Sequence, residues 1–147
     1  MLVFTILFTF VFGVIRVSEL AMEPAVKNGD LIMFFRLSQE EYQPGEIIVV
    51  RIGEEKQIRR VVAIAGDVVD ITEAGLVING DVQQEPGIYW PTLRYQEGVN
   101  FPITVPQGQF FVLGDNRLDV TDSRIYGCVT TEEIMGKLMT IIRRRNF

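Results

Sequence analysis

The chain has 147 residues, one cysteine and no histidine. That excludes a Ser-His-Asp triad, a Cys-His dyad, an imidazole zinc site, an internal disulfide and a cysteine zinc cluster. Lys+Arg number 14 against 19 Asp+Glu, and the net charge of −5 argues against nucleic acid as a partner. An apolar content of 48% with 22% charged residues fits one folded domain. Any general base has to be Lys, Asp, Glu or Tyr, and no metal or cofactor is expected.

Residues 1–15 carry no charged side chain and are dominated by Leu, Val, Phe and Ile. As a helix they reach only ~22 Å, short of a ~30 Å hydrocarbon core. A buried helix calls for an amphipathic pattern and a signal peptide for a basic leading region, and neither is present. Residues 1–17 are therefore expected to be a membrane anchor, its shortness leaving open a longer parent helix. Arg16 on its C-terminal side gives no clean orientation.

Beyond Arg16 the apolar runs are short and rich in β-branched residues, predicting strands at 30–35, 46–51, 57–64, 68–71, 75–78, 109–113 and 138–142. Asn79-Gly80 between two such runs signals a hairpin. Residues 85–102 hold Trp90, two Tyr and three Pro with little periodicity, and read as an excursion from the core. Thr130-Thr131-Glu132-Glu133 matches a capping box. Gly136 weakens a helix there, so a brief turn at 131–133 followed by a strand is expected. The expectation is a mainly β barrel or sandwich, with a core at 18–71 and 106–145 and a small β insertion at 72–105.

Three motifs stand out. The first is Ala21-Met22-Glu23-Pro24. The second is Arg59-Arg60, leading through Val61, Val62, Ala63, Ile64 and Ala65 to Gly66-Asp67. The third is Gly114-Asp115-Asn116-Arg117, continuing through Asp122-Ser123-Arg124 to Gly127. Each alone is a weak signal; their order and spacing behind an apolar segment are specific.

Together they resemble the type I signal peptidases, membrane-bound Ser/Lys peptidases that remove signal peptides outside the cytoplasm. The resemblance runs from about Phe12 to Lys137. It implies a mainly β extracytoplasmic body with a small β insertion and an N-terminal membrane helix. It also implies a serine nucleophile before the motif's Met, a neutral lysine base ahead of Gly-Asp, and an orienting hydroxyl in the third motif.

Here those positions hold Ala21, Arg59 and Val120. A methyl group cannot attack a carbonyl, and guanidinium has no acceptor and stays protonated. The family's Gly ahead of the motif is Glu19, and its frequent Gly and Pro in the second motif are Ala63 and Ala65. A buried Arg59 needs an anionic partner, which Glu19 or a carboxylate of the third motif could supply. The resemblance further implies structural roles for Arg60, Gly66, Asp67, Gly114, Asp115, Asn116, Arg117, Asp122, Ser123, Arg124 and Gly127, with Asp115 paired to Arg60 and Asp122 to Arg124.

Ser18 and Lys56 are a conceivable relocated dyad, but each lies three residues from the matching position. An odd offset along a strand predicts that both point away from the cleft. Cys128 and Met22 are explained by packing.

The expected function is that of a catalytically inactive signal peptidase-like protein. It would bind an extended segment of an exported protein or pilin by strand addition, using Leu20, Met22, Glu23, Pro24, Gln57 and Ile58. The similarity to pilus-associated homologues of Gram-positive bacteria implies an accessory or chaperone role in pilus or surface-protein assembly, with a sortase as a further partner. The alternative is an active membrane signal peptidase with an unconventional dyad, Ser18 serving as nucleophile and Asp119 or Glu19 as base.

Overall fold

The computed structural model describes residues 1–37, 41–118 and 120–143. In chain order the elements are helix α1 (Leu2–Val11) and strands β1 (Phe12–Arg16), β2 (Leu31–Phe35), β3 (Ile47–Ile52), β4 (Glu55–Ile64), β5 (Val68–Thr72), β6 (Gly75–Ile78), β7 (Asp81–Val82), β8 (Ile103–Thr104) and β9 (Gln109–Leu113). A single helical turn α2 (Ser123–Tyr126), β10 (Val129–Thr130), a 3₁₀ turn (Thr131–Glu133) and β11 (Ile134–Ile142) complete them.

Two antiparallel sheets result. One has seven strands in the order β1-β2-β11-β3-β4-β9-β10, and the other four in the order β7-β6-β5-β8. The protein is thus mainly β, as expected. The small sheet begins at β5 (Val68–Thr72) and ends at β8 (Ile103–Thr104), so the excursion is a β layer fed from both sides by the core. The Asn79-Gly80 hairpin joins β6 to β7. The capping box forms at Thr130 and Glu133, followed by the expected strand.

The N-terminus differs from expectation. The helix stops at Val11, and Phe12–Arg16 near the end of the expected anchor form a strand. β1 pairs with β2 over five residues, Phe12 opposite Phe35 and Arg16 opposite Leu31. Val14 and Ile15 suit an extended backbone, and Gly13 lets the Phe34 ring close over the strand: a Cβ on Gly13 would stand 2.2 Å from that ring. No described helix is long and apolar enough to cross a membrane. α1 itself buries none of its residues.

Three apolar clusters hold the body together. The first packs Val17, Met22, Val26, Ile32, Phe34, Val49 and Ile58 between the first motif and the sheet. The second lies under β3, β4 and β9 around Ile48, Val61 and Val112. The third joins Ala63, Phe111 and Leu113 to Val69, Ile71 and Leu76 of the small sheet. β4 contributes to all three, with Ile58, Val61 and Ala63, and so fixes where the second motif sits.

Candidate functional site: a cleft at the open edge of β4

β9 pairs with β4 only from Arg60 to Ile64. Residues 55–59 are left with β3 on one side and, among the described residues, no strand on the other. Along that open edge lies a cleft of about 820 Å³. One wall is residues 18–21, the other is residues 55–59, and Asn116, Leu118, Val120 and Thr121 close the end. The three positions marked by the family resemblance, Ala21, Arg59 and Val120, therefore converge on one cleft although they come from three parts of the chain. Gly114 permits the convergence: a Cβ there would lie 2.7 Å from Val120 Cγ1 and 2.8 Å from the Ala21 carbonyl. The Asn116 N–H donates to that same carbonyl at 2.9 Å.

Arg59 is 2% exposed. Its Nη1 donates to Glu19 Oε1 at 2.9 Å and Oε2 at 3.1 Å, and also to the Ile58 carbonyl. Its Nε and Nη2 both donate to the Thr121 carbonyl, at 3.0 and 2.7 Å. The same Glu19 Oε1 accepts from the Ile58 N–H at 2.8 Å. The expected Arg59–Glu19 pair thus forms, and it does more than neutralise charge. It takes up both backbone hydrogen-bonding groups of Ile58 on the open edge, where a neighbouring strand would pair. The Tyr126 hydroxyl, 3.2 Å from Gln57 Oε1, stands beside this cluster. Burial pushes the Tyr126 phenol well above its ordinary range, with the nearby Arg59 charge only partly opposing it, so it stays protonated near neutral pH.

The bracing pairs are as expected. Arg60 Nε and Nη2 grip Asp115 at 2.7 and 2.6 Å, and the Asp115 carboxylate raises the Arg60 guanidinium further above its ordinary value. Arg124 and Asp122, both 0% exposed, form a two-pronged pair at 2.9 and 2.8 Å. Asp122 also caps α2 through the Arg124 N–H and accepts from the Gly114 N–H. The Ser123 hydroxyl accepts from the Val112 N–H, and Gly127 closes α2 at a φ of 80°. Gly66 turns the chain at a φ of 91°, while Asp67 accepts from Ile64 N–H and Asn79 Nδ2.

Sequence reasoning missed the contribution of the insertion. Arg117, fully buried, pairs with Glu85 at 2.6 and 2.8 Å and donates to Thr92. The Tyr95 hydroxyl accepts from the Val120 N–H at 2.9 Å and donates to the Val120 carbonyl at 3.0 Å, while the Arg124 guanidinium stacks 4.6 Å above the Tyr95 ring. The only signal available was the clustering of aromatics in an aperiodic stretch.

Of the residues expected to meet a peptide, Leu20, Gln57 and Ile58 line the cleft. Met22 is fully buried in the core, Glu23 is half-buried outside the cleft lining, and Pro24 faces a second hollow beside Arg60 and Asp115. Ser18 and Lys56, expected to face away, both line the cleft as exposed rim residues. Residues 17–20 lie outside any strand, so the alternation rule does not govern Ser18, and Lys56 sits near a strand end with its long side chain free to turn. Among the described residues no hydrogen bond joins Ser18 to Lys56. Asp119, the other suggested base, lies outside the described residues. Burial pushes the Cys128 thiol up to about 11, consistent with a packing role.

Comparison with known proteins agrees with this architecture. The family described as "Signal peptidase, peptidase S26" matches residues 1–142, and the chain belongs to it. A probable signal peptidase I-2 of Synechocystis sp. is 30% identical over 139 residues, which is 88% of this chain and 62% of that relative. Signal peptidase IB of Staphylococcus aureus is 26% identical over 136 residues, covering 80% of this chain and 71% of the relative. The crystal structure of a signal peptidase I from Enterococcus faecalis V583 superposes with a TM-score of 0.55 at 26% identity, over 67% of this chain and 97% of that one. The chain thus spans less than two thirds of the Synechocystis relative's length.

Proposed function

We propose that this protein is a non-catalytic member of the signal peptidase family that binds an extended segment of an exported protein in the cleft. The observation that carries the reading is the content of the three converging positions. The place of the nucleophile is a methyl group, that of the orienting hydroxyl is an isopropyl group, and that of the base is a guanidinium held by five hydrogen bonds. No proton acceptor of the lysine type stands there, while the cleft and its bracing ion pairs are intact. The exposed apolar surface of α1 supports attachment to a membrane, and the family resemblance supplies the outer side, where exported segments emerge. An accessory role in pilus or surface-protein assembly, with a pilin as client and a sortase nearby, rests on analogy with pilus-associated homologues.

A preprotein-cleavage assay with the full chain in lipid vesicles tests the reading, with no turnover as the expected result. The competing reading, an active peptidase, is favoured by one observation: Ser18 and Lys56 share the cleft rim. Turnover that Ser18→Ala abolishes would establish it and overturn ours. For the client, capture of a purified pilin in extended form is expected and should fail when the edge of β4 is broken by Ile58→Pro. Loss of capture only in a variant that remains folded counts in favour.

A further inference from the structure

The Glu19 carboxylate is held like a ligand. It accepts the Ile58 N–H and two contacts from Arg59 Nη1, at 2.8, 2.9 and 3.1 Å, yet its side chain is 29% exposed at the cleft mouth. Arg59, by contrast, is almost wholly enclosed. A strand docking on the open edge of β4 has to take the Ile58 N–H with one of its own carbonyls, because that N–H points into the cleft. Doing so displaces Glu19. The displaced carboxylate reaches solvent, but the Arg59 charge cannot follow it. Its bonds to the Thr121 carbonyl remain, and the one to the Ile58 carbonyl gives way to the strand; neither supplies a countercharge. A neutral segment would therefore leave a buried cation uncompensated, which is the costly way to break an ion pair.

We infer that the cleft selects extended peptides carrying an acidic side chain at the position facing Arg59, and that Glu19 is the internal competitor such a side chain replaces. This rests on the cleft being a peptide-binding edge, and deepens that reading by naming the chemistry of the peptide. Carboxylate exchanges for carboxylate on one buried guanidinium, while the peptide backbone takes over the strand edge. Glu19 acts as a bolt: it keeps the unpaired edge closed to strands lacking the matching charge.

The test uses the full chain in a non-ionic detergent and Ala/Thr peptides of about ten residues, long enough to add one strand. The peptides are acetylated and amidated, with a single Glu moved through successive central positions, and each has a Gln counterpart. Titration calorimetry should show one register at which Glu binds about tenfold or more tighter than Gln, about 1.4 kcal/mol per factor of ten. Glu19→Gln should tighten the Glu peptide further, and Arg59→Gln should erase the preference. Should Glu19→Gln fail to fold, the Ile58 amide and Arg59 Nε–H resonances of the unaltered chain give the same answer by shifting with the Glu peptide at lower concentration than with Gln. Equal binding of Glu and Gln peptides at every register overturns the acidic requirement and leaves the cleft reading standing. Binding of neither overturns both.

Discussion

At the scale of residues, the pairs differ in how much they hold. Asp122 and Arg124 are both fully buried, and Asp122 also caps α2. Asp122→Ala should cost ~3–5 kcal/mol, read from the denaturant midpoint. Glu19 is partly exposed, so Glu19→Ala should cost on the order of 2 kcal/mol, less than a fully buried pair. Cys128 makes a kinetic prediction: with its thiol raised to about 11, alkylation should be slow at neutral pH and accelerate as pH climbs toward that value. Which of these pairs was legible follows from whether a motif carries both partners. Arg60 and Asp115, 55 residues apart, and Asp122 with Arg124 all fall in motifs whose family resemblance implies the pairing, and the need of Arg59 for an anion follows from burying a guanidinium. Glu85 and Thr92, which hold Arg117, lie in an aperiodic stretch 32 and 25 residues away, and nothing local marks them. The role of the Thr121 carbonyl was equally hidden, because a backbone acceptor leaves no trace in residue type.

Among elements, β1 is the instructive case. An uninterrupted apolar run reads as one helix, since period alone cannot separate a buried strand from a membrane segment. What divides it is tertiary: Gly13 must lie flat under the Phe34 ring, and the β1–β2 register buries Val17 beside Met22. Gly13→Val should therefore lower stability by ~1–3 kcal/mol, the cost of overpacking, and lower the melting temperature accordingly. The same change in a purely helical segment would raise helix propensity instead, so the sign of the shift discriminates the two structures. The strands of the body were mostly readable because alternation and turn residues agree there. α2 was not, since four residues are too few to carry a period, and only its Asp122 cap is visible in retrospect.

For the whole molecule, the ends of the body are tied by Arg143 and Asp30, which meet at 2.6 and 2.8 Å. The Arg143 guanidinium, outweighing the effect of burial, lowers the Asp30 carboxyl below its ordinary value. A carboxyl depressed in the folded state adds stability that is complete above about pH 4 and disappears as pH falls through the lowered value. The stability difference between the unaltered chain and Asp30→Asn should thus be largest near neutrality and shrink as pH falls below about 4, measured by urea unfolding over an acid series. The Arg59–Glu19 bolt has a consequence on a longer clock. On the proposed reading, Ala21→Ser gains a hydroxyl with no base to activate it. Arg59→Lys sets an ammonium against Glu19, and the carboxylate keeps it charged and useless as a base. A productive return to hydrolysis has to begin with Glu19, and that first step alone strands a buried cation. On that reading the ion pair works as a ratchet: the contact that fills the cleft also lengthens any mutational road to hydrolysis.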